Sequence, residues 1–240
     1  PGSIPQYFLC KKISEKYKVV LGGQGSDELF GGYARHLIMN FENAIVNQID
    51  DKILKNDPNL EALIPLLKIL KGYHFLIKRH FSDGLFENIE SRYFSLLDRS
   101  KKIRKLFEFE EKEYEDHKIN FLDLFNEKNN LKNLSLSQKM CNFDLKYFLP
   151  SLLHVEDRMS MAFGLESRVP FLDNEFVDLS MSIPSKEKFD GHNLKGILIE
   201  TFKNKLPKEI INRKDKMGFP VPLKDLNFFC KFVNNIKESL

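Results

Sequence analysis

Cysteine is scarce in this chain of 240 residues, and its spacing excludes two kinds of stabilising site. The three cysteines, Cys10, Cys141 and Cys230, lie far apart, and none belongs to a Cys-x-x-Cys pair. They therefore indicate neither a structural zinc site nor a disulfide framework, and the six histidines show no ligand spacing either. Scattered thiols in odd number are typical of a reducing compartment, so we predict a cytoplasmic protein.

Long apolar runs and blocks of one charge are also missing. No stretch reaches the roughly 18 apolar residues that a membrane-spanning helix needs, so we expect no membrane association. The formal net charge is only +3, and the most basic run, 101–105, is followed at once by acidic residues up to Asp116. We interpret this region as a solvated helix of mixed charge and expect no nucleic-acid partner.

A strand followed by a glycine-rich turn is the most informative pattern that is present. A short buried strand is predicted over 18–22, because the three residues 19–21 are apolar and end at the turn. The turn contains Gly22, Gly23 and Gly25, which allow a tight bend and a close approach of the backbone to a ligand. No Gly-Lys-Ser/Thr ending and no Gly-x-Gly-x-x-Gly spacing occurs here, which excludes a Walker loop and a dinucleotide fingerprint.

A helix is predicted directly after this turn, over 27–40, with Ser26 or Asp27 as its N-cap. The free N–H groups and partial positive charge at such a helix start suit a phosphate. Asp27 and Glu28 lie at the same point, and a carboxylate beside a phosphate usually needs a bridging cation, most often Mg²⁺. An ordinary strand–turn–helix with a capping aspartate has the same pattern, so this segment alone leaves both interpretations open.

Two further stretches are polar and irregular. Residues 154–173 place Asp, Glu and Arg between apolar helices, which indicates either an Arg–carboxylate lattice that holds a loop or the wall of a pocket. Residues 212–223 form a basic loop that its glycine and two prolines stiffen. A lysine fixed on this loop suits a phosphate or a developing oxyanion, although an ordinary surface loop is the alternative.

Helical spacing dominates the rest of the chain, and one short helix–strand–helix unit near the start is typical of an α/β layer. The predicted helices cover 5–17, 41–55, 59–71, 73–98 with a break at 82–84, 99–117, 136–149, 151–163, 174–182, 194–204 and 225–238. The predicted connections are 118–135 with a short helix around 121–125, 164–173 and 184–191. Pro150 is predicted to end a helix, and the 22 phenylalanines are expected to fill helix–helix interfaces.

Four motifs, in this order, resemble the synthetase domain of glutamine-dependent asparagine synthetases and related amidotransferases. They are Asp-Glu-Leu-Phe-Gly-Gly-Tyr at 27–33, Asp-Arg-Met-Ser-Met-Ala at 157–162, Glu-Ser-Arg-Val-Pro-Phe-Leu-Asp at 166–173 and Asp-Lys-Met-Gly-Phe-Pro-Val-Pro at 215–222. The likeness runs from about Pro5 to Leu223 and is weakest between 41 and 135. It implies an α/β fold of the ATP-pyrophosphatase (adenine nucleotide alpha hydrolase-like) type, here predominantly helical with few strands.

The resemblance also implies a chemistry. Such enzymes use ATP and Mg²⁺ to adenylate a small-molecule carboxylate, which ammonia from glutamine then converts into an amide. The matching nucleotide-binding positions are Gly22, Gly23, Gly25 and Ser26, and the matching metal positions are Asp27 and Glu28. Lys216 matches the lysine that stabilises charge on the reacting acyl centre, although counting from Arg213 leaves Lys214 open.

The chain departs from the family pattern in two respects. Gln24 stands where the family usually has a glutamate, the proposed base for ammonia, and a neutral amide orients groups rather than removing a proton. The acceptor therefore stays open between aspartate and a related acid such as a sugar acid. The Ser-Gly-Gly-x-Asp-Ser pyrophosphate loop and a glutaminase domain with its N-terminal cysteine are both missing from the sequence, which begins at Pro1.

We therefore expect residues 1–240 to be the C-terminal part of an asparagine synthetase-like domain, inactive by itself and served by an upstream glutaminase domain. Two alternatives stay open. One is a catalytically inactive helical scaffold of the same fold. The other is a β-lactam-forming synthetase, although those relatives have Tyr at the position of Gln24. The oligomeric state is open as well, a homodimer included.

Overall fold

The parallel pairing of two short strands defines the α/β character of the chain. The structure is a computed structural model that describes residues 2–52, 56–82, 84–98, 100, 111–126, 134–188 and 194–212. These residues fall into two compact units. The described part of the first unit consists of residues 2–22 and 152–168, and the other described residues form the second.

The first unit contains helix α1 (Ser3–Ser14), strand β1 (Val19–Leu21) and strand β2 (Glu166–Arg168). The two strands are parallel, with Val19 opposite Glu166 and Leu21 opposite Arg168. Parallel strands need a long crossover connection, which is characteristic of α/β architectures. The prediction that 164–173 is wholly irregular is wrong, because β2 and a 3-10 turn at Pro170–Leu172 lie within it.

The prediction that the first strand is buried is also wrong. Val19 is 41% exposed and Leu21 is 69% exposed. The sheet has two strands in the described part of the chain, so few neighbours cover its faces. The strand itself lies within the predicted range 18–22, where Val19 and Val20 are β-branched, and it is shorter by one residue at each end.

Helices make up most of the remaining structure. Further along the chain they are α2 (Ser26–Phe30), α3 (Ala34–Ile49), α4 (Leu60–Leu63), α5 (His74–Ser82), α6 (Ile89–Leu97), α7 (Glu111–Asn126), α8 (Leu136–Phe143), α9 (Leu149–Met161), α10 (Asn174–Ser182), α11 (Ser185–Lys188), α12 (Gly196–Phe202) and α13 (Lys208–Ile211). A 3-10 helix at Ile64–Tyr73 follows α4, and a π-helical turn at Asp144–Phe148 joins α8 to α9. Among the described helices, none combines the length and hydrophobicity that crossing a lipid bilayer requires.

The single helix predicted over 27–40 is instead two helices, α2 and α3. Gly31 ends α2 with a φ of 63°, a left-handed conformation that glycine adopts without steric cost. The predicted N-cap, Ser26 or Asp27, is also wrong. Gly25 is the N-cap residue, with a φ of 91°, and it has no side chain that could cap the helix. The hydroxyl of Ser26 instead donates to the carbonyl of Gly23 at 3.0 Å.

The prediction that Pro150 ends a helix is wrong, because helical structure continues from Leu136 through Pro150 to Met161. The proline lies in the first turn of α9, where a missing N–H breaks no bond within the helix. The π-helical turn makes this possible, since the N–H of Leu149 bonds to the carbonyl of Asp144, five residues earlier.

Several other predicted bounds also shift. The predicted connection at 118–135 is helical up to Asn126, within α7, and the predicted helix at 41–55 ends at Ile49. The predicted loop at 184–191 contains α11. The predictions for 213–223 and 225–238 lie outside the described residues.

Aromatic and aliphatic side chains from α3, α6, α7 and α8 form the hydrophobic core of the second unit. The rings of Phe121 and Phe125 stack with centroids 5.4 Å apart, and Phe143 meets Phe121 edge-on at 4.9 Å. Tyr93 is fully buried beside them. At these positions the expectation that phenylalanine fills helix–helix interfaces is confirmed.

Candidate functional site

A tight turn places the acidic start of α2. Gly25 is buried with a φ of 91°, and a Cβ there would overlap the side chain of Leu172, 3.0 Å from its Cγ. Both the backbone conformation and the lack of space therefore require glycine at this position. The turn predicted from the sequence is present, although α2 has only five residues. The partial positive charge at the N-terminus of α2 is weaker than that expected for the predicted 27–40 helix, because fewer aligned peptide dipoles contribute to it.

Asp27 meets a lysine that the sequence analysis did not single out. The Nζ atom of Lys195 lies 3.3 Å from Oδ1 of Asp27 and 3.4 Å from the hydroxyl of Ser26. The two side chains are 28% exposed for Asp27 and 32% for Lys195, so both reach solvent. Lys195 has a φ of 58°, which turns the chain just before α12. A carboxylate and an ammonium thus stand together at the start of α2, open to a ligand.

Glu28 points the other way, into the protein. It is 1% exposed, and its Oε1 accepts a hydrogen bond from the hydroxyl of Tyr33 at 2.5 Å. Burial, together with this hydrogen bond and the negative charge of Glu28, raises the pKa of Tyr33. At the next residue of α2, the buried Lys188 donates to the carbonyl of Leu29 at 2.7 Å, and burial lowers the pKa of Lys188. Two neighbouring residues of the short helix are therefore held by buried hydrogen bonds.

The remaining turn residues contribute mainly backbone. Gly22 belongs to the first unit, where its N–H donates to the carbonyl of Arg168 at 2.7 Å and extends the strand pairing. Gly23 is exposed, and a Cβ there would meet nothing within 4 Å. Gln24 is half-buried at the middle of the turn.

For the polar stretch 154–173, the sequence left open a lattice of arginine–carboxylate pairs that holds a loop. The structure shows only a few such contacts within this stretch. In the first unit, Ser167 donates to the carboxylate of Glu156. Arg168 pairs with Glu166 at 2.8 Å, and both side chains are more than half exposed. An exposed pair of this kind contributes little to stability.

A buried ion network lies behind Tyr33. The guanidinium carbon of Arg35 is 3.7 Å from the centroid of the Tyr33 ring, and Nη2 donates to Oδ2 of Asp144 at 2.6 Å. His36 Nε2 lies 2.7 Å from the same carboxylate oxygen. Although burial alone would raise the pKa of Asp144, its contacts with His36 and Arg35 hold that pKa below the ordinary value.

Sequence reasoning missed Lys195, Arg35 and Asp144. Lys195 carries no signal, since a lone lysine before a helix is common on protein surfaces. Asp144 did carry a sequence signal. It follows Leu136 and Met140 at four-residue spacing, so all three residues lie on the buried face of the helix. A carboxylate on an apolar helix face predicts a buried cationic partner.

The lysine predicted to act at the acyl centre, Lys216, and its alternative Lys214 both lie outside the described residues. Among the residues that are described, no group of three His, Cys, Asp or Glu side chains could hold a metal ion by itself.

The fold and site together define an α/β protein with a carboxylate–lysine pair beside a glycine turn. The chain belongs to the asparagine synthase family, whose profile matches residues 1–240. This membership confirms the resemblance drawn from the four motifs.

Three relatives illustrate the likeness. Glutamine-hydrolyzing asparagine synthetase 1 of Bacillus subtilis is 28% identical over 252 residues, covering 100% of this chain and 36% of the relative. Glutamine-hydrolyzing asparagine synthetase 3 of the same organism is 26% identical over 237 residues, covering 97% of this chain and 32% of the relative. The glutamine-hydrolyzing asparagine synthetase of Cricetulus griseus is 45% identical over 60 residues, covering 24% of this chain and 11% of the relative. The chain spans about a third of the length of the Bacillus relatives, and no solved structure matches it.

Proposed function

We propose that this chain is the C-terminal part of the synthetase domain of a cytoplasmic, ATP-dependent amidotransferase. The domain would have the ATP-pyrophosphatase fold, with its pyrophosphate-loop strand and a glutaminase domain upstream. The acceptor is a small-molecule carboxylate, either aspartate or a related acid such as a sugar acid. Family membership and the names of the relatives support this assignment, and the juxtaposition of Asp27 and Lys195 is the observation that carries it.

The residues at this site suit Mg²⁺ and the phosphates of ATP. A carboxylate oxygen is the kind of ligand that Mg²⁺ prefers, and Mg²⁺ in nucleotide sites uses one or two carboxylates with phosphate and water for the rest. Asp27 supplies such a carboxylate at a partly exposed position, and Lys195 supplies a positive charge beside it. Mg²⁺, when bound, neutralises charge on the pyrophosphate leaving group.

The proposed reaction has two steps. An oxygen of the acceptor carboxylate attacks the α-phosphorus of ATP, the bond to the β-phosphate oxygen breaks, and pyrophosphate leaves. Ammonia then attacks the acyl carbon, the acyl–oxygen bond breaks, AMP leaves, and the nitrogen gives one proton to solvent or to another basic group. In the first step Lys195 stabilises the departing pyrophosphate, while Gly22, Gly23, Gly25 and Ser26 line the nucleotide.

Three other residues have proposed roles. Lys216 stabilises the negative charge that develops on the acyl centre in the second step. Gln24, at the middle of the turn, orients the acceptor or ammonia by hydrogen bonds. Glu28 was predicted as a metal ligand, and its burial against Tyr33 favours a role in holding α2 instead.

The test is pyrophosphate release by the full-length protein with ATP, Mg²⁺ and candidate acids. Asp27→Asn removes a charged metal ligand and should abolish the release. Lys195→Ala should slow it at least about tenfold, which corresponds to about 1.4 kcal/mol of barrier.

Asp116→Asn, an exposed position on α7, is the matched control and should leave the rate unchanged. Release by Asp27→Asn at the wild-type rate would remove this residue from the site. A wild-type protein that releases no pyrophosphate with any of the candidate acids would instead favour the inactive-scaffold alternative.

A further inference from the structure

The carboxylate of Asp144 is completely enclosed, and its described partners lie on α3 and α6. It is 0% exposed and accepts from Arg35 at 2.6 Å. The hydroxyl of Tyr93 donates to its other oxygen at 3.3 Å. A buried carboxylate is costly unless it is paired and hydrogen-bonded, so this geometry is tightly defined.

Arg35 links this carboxylate to Tyr33. Its guanidinium carbon lies over two aromatic rings, 3.7 Å from the centroid of Tyr33 and 4.7 Å from that of Phe148. The two rings meet edge-on, with centroids 5.9 Å apart, and the attraction of both to the cation restrains the rings as well as the arginine. Phe148 ends the π-helical turn that Asp144 begins, so one turn supplies both the counter-ion and one ring.

Tyr33 in turn holds α2. Its hydroxyl donates to Glu28, which is the residue next to Asp27 and is almost fully buried. Because α2 has only five residues and is interrupted by Gly31, it lacks the rigidity of a long helix. The bond between Tyr33 and Glu28 therefore contributes directly to the direction in which Asp27 points.

We propose that Asp144 is a positioning residue for the Mg²⁺–pyrophosphate site. It acts through Arg35, Tyr33 and Glu28 to orient the carboxylate of Asp27, and this role rests on the proposed function. The π-helical turn has a corresponding purpose, since it brings Asp144 and Phe148 to the same guanidinium.

A second buried carboxylate provides a matched comparison. Glu42 is 1% exposed and pairs with Arg92 at 2.7 Å and with His80. It lies on α3, the helix that also carries Arg35 and His36. The described partners of Glu42 are on α5 and α6, so the described contacts of this cluster do not lead to α2.

The experiment measures thermal unfolding of the full-length protein while Mg²⁺ is titrated in the presence of inorganic pyrophosphate. Asp144→Asn and Tyr33→Phe should each raise the Mg²⁺ concentration for the half-maximal rise in Tm by about tenfold, the size typical of residues that support metal ligands. Glu42→Gln should lower the Tm without ligand but leave that Mg²⁺ concentration unchanged. Tyr33→Phe keeps the ring over Arg35, so it decides the question if Asp144→Asn does not fold.

A wild-type Mg²⁺ response in Tyr33→Phe would overturn the proposal, as would an equal shift in Glu42→Gln. Asp27→Asn separates this failure from failure of the proposed function. If Mg²⁺ with pyrophosphate still raises the Tm of Asp27→Asn, the assignment of Asp27 to the Mg²⁺–pyrophosphate site is wrong. If that response is lost there but is unchanged in Tyr33→Phe, only the positioning role fails.

Discussion

At the scale of single residues, the chemistry that we propose for the site depends on one amide. Gln24 lies half-buried at the middle of the turn, where the related pattern has a glutamate. An amide has the shape of the acid but no basic oxygen at neutral pH. In the proposed reaction, proton removal from ammonia would therefore fall to another group or to solvent.

Gln24→Glu tests this directly. A positioned general base typically contributes about 10²-fold or more, so we expect amide formation from aspartate to rise at least about tenfold. The measurement is the rate of asparagine formation with ammonia as nitrogen source. Gln48→Glu, an exposed change on α3, is the control. An unchanged rate in Gln24→Glu would make this side chain a spectator.

At the scale of elements, the break between α2 and α3 places the two charges of the site. A Cβ at Gly32 would overlap Oδ1 of Asp27 and lie 2.9 Å from its Cγ and 3.0 Å from Cδ of Lys195. Only the absence of a side chain at this position lets both residues approach the start of α2.

Gly32→Ala should therefore displace Asp27 and Lys195 and slow pyrophosphate release at least about tenfold, or about 1.4 kcal/mol of barrier. Gly72→Ala is the matched control, because a Cβ there would meet nothing within 4 Å. The full-length proteins are compared by pyrophosphate release and by Tm. A Gly32→Ala protein as active as Gly72→Ala would show that the crowding has no functional effect.

The sequence predicted most elements correctly, and its errors have local causes. Strand β1, the turn after it and α10 follow from apolar runs, glycine and periodicity. The break at Gly31 was missed because the helical pattern of apolar residues continues across it, from Phe30 to Leu37. The π-helical turn was missed because Pro150 is a helix-ending signal unless a wider turn precedes it. The pairing of Asp27 with Lys195 arises from tertiary folding, which periodicity does not report.

At the scale of the whole molecule, two buried carboxylates link stability to pH. Burial alone would raise the pKa of Glu42, but His80 and Arg92 hold it below its ordinary value of 4.5, and the pKa of Asp144 is lowered by a similar balance. A group whose folded-state pKa is depressed stabilises the protein fully above its unfolded pKa. That contribution is lost as the pH falls through the folded-state pKa.

Acid should therefore destabilise the wild type as the pH drops below about 4.5. Glu42→Gln leaves Arg92 without its counter-charge and should cost about 3–5 kcal/mol near neutral pH. It should also flatten the dependence of Tm on pH below 4.5, because the titrating group is gone. Thermal unfolding between neutral and acidic pH measures both effects. An equally steep acid loss in Glu42→Gln would assign the pH dependence to other groups.

Isotope exchange between pyrophosphate and ATP in the full-length protein tests the proposed adenylation step. Exchange requires reversible splitting of ATP by a carboxylate, which is the step assigned to Asp27 and Lys195. We expect label to enter ATP only when an acceptor acid and Mg²⁺ are present, and we expect Asp27→Asn to abolish this exchange. Exchange that persists in Asp27→Asn, or that no carboxylic acid supports in the wild type, would contradict this proposal.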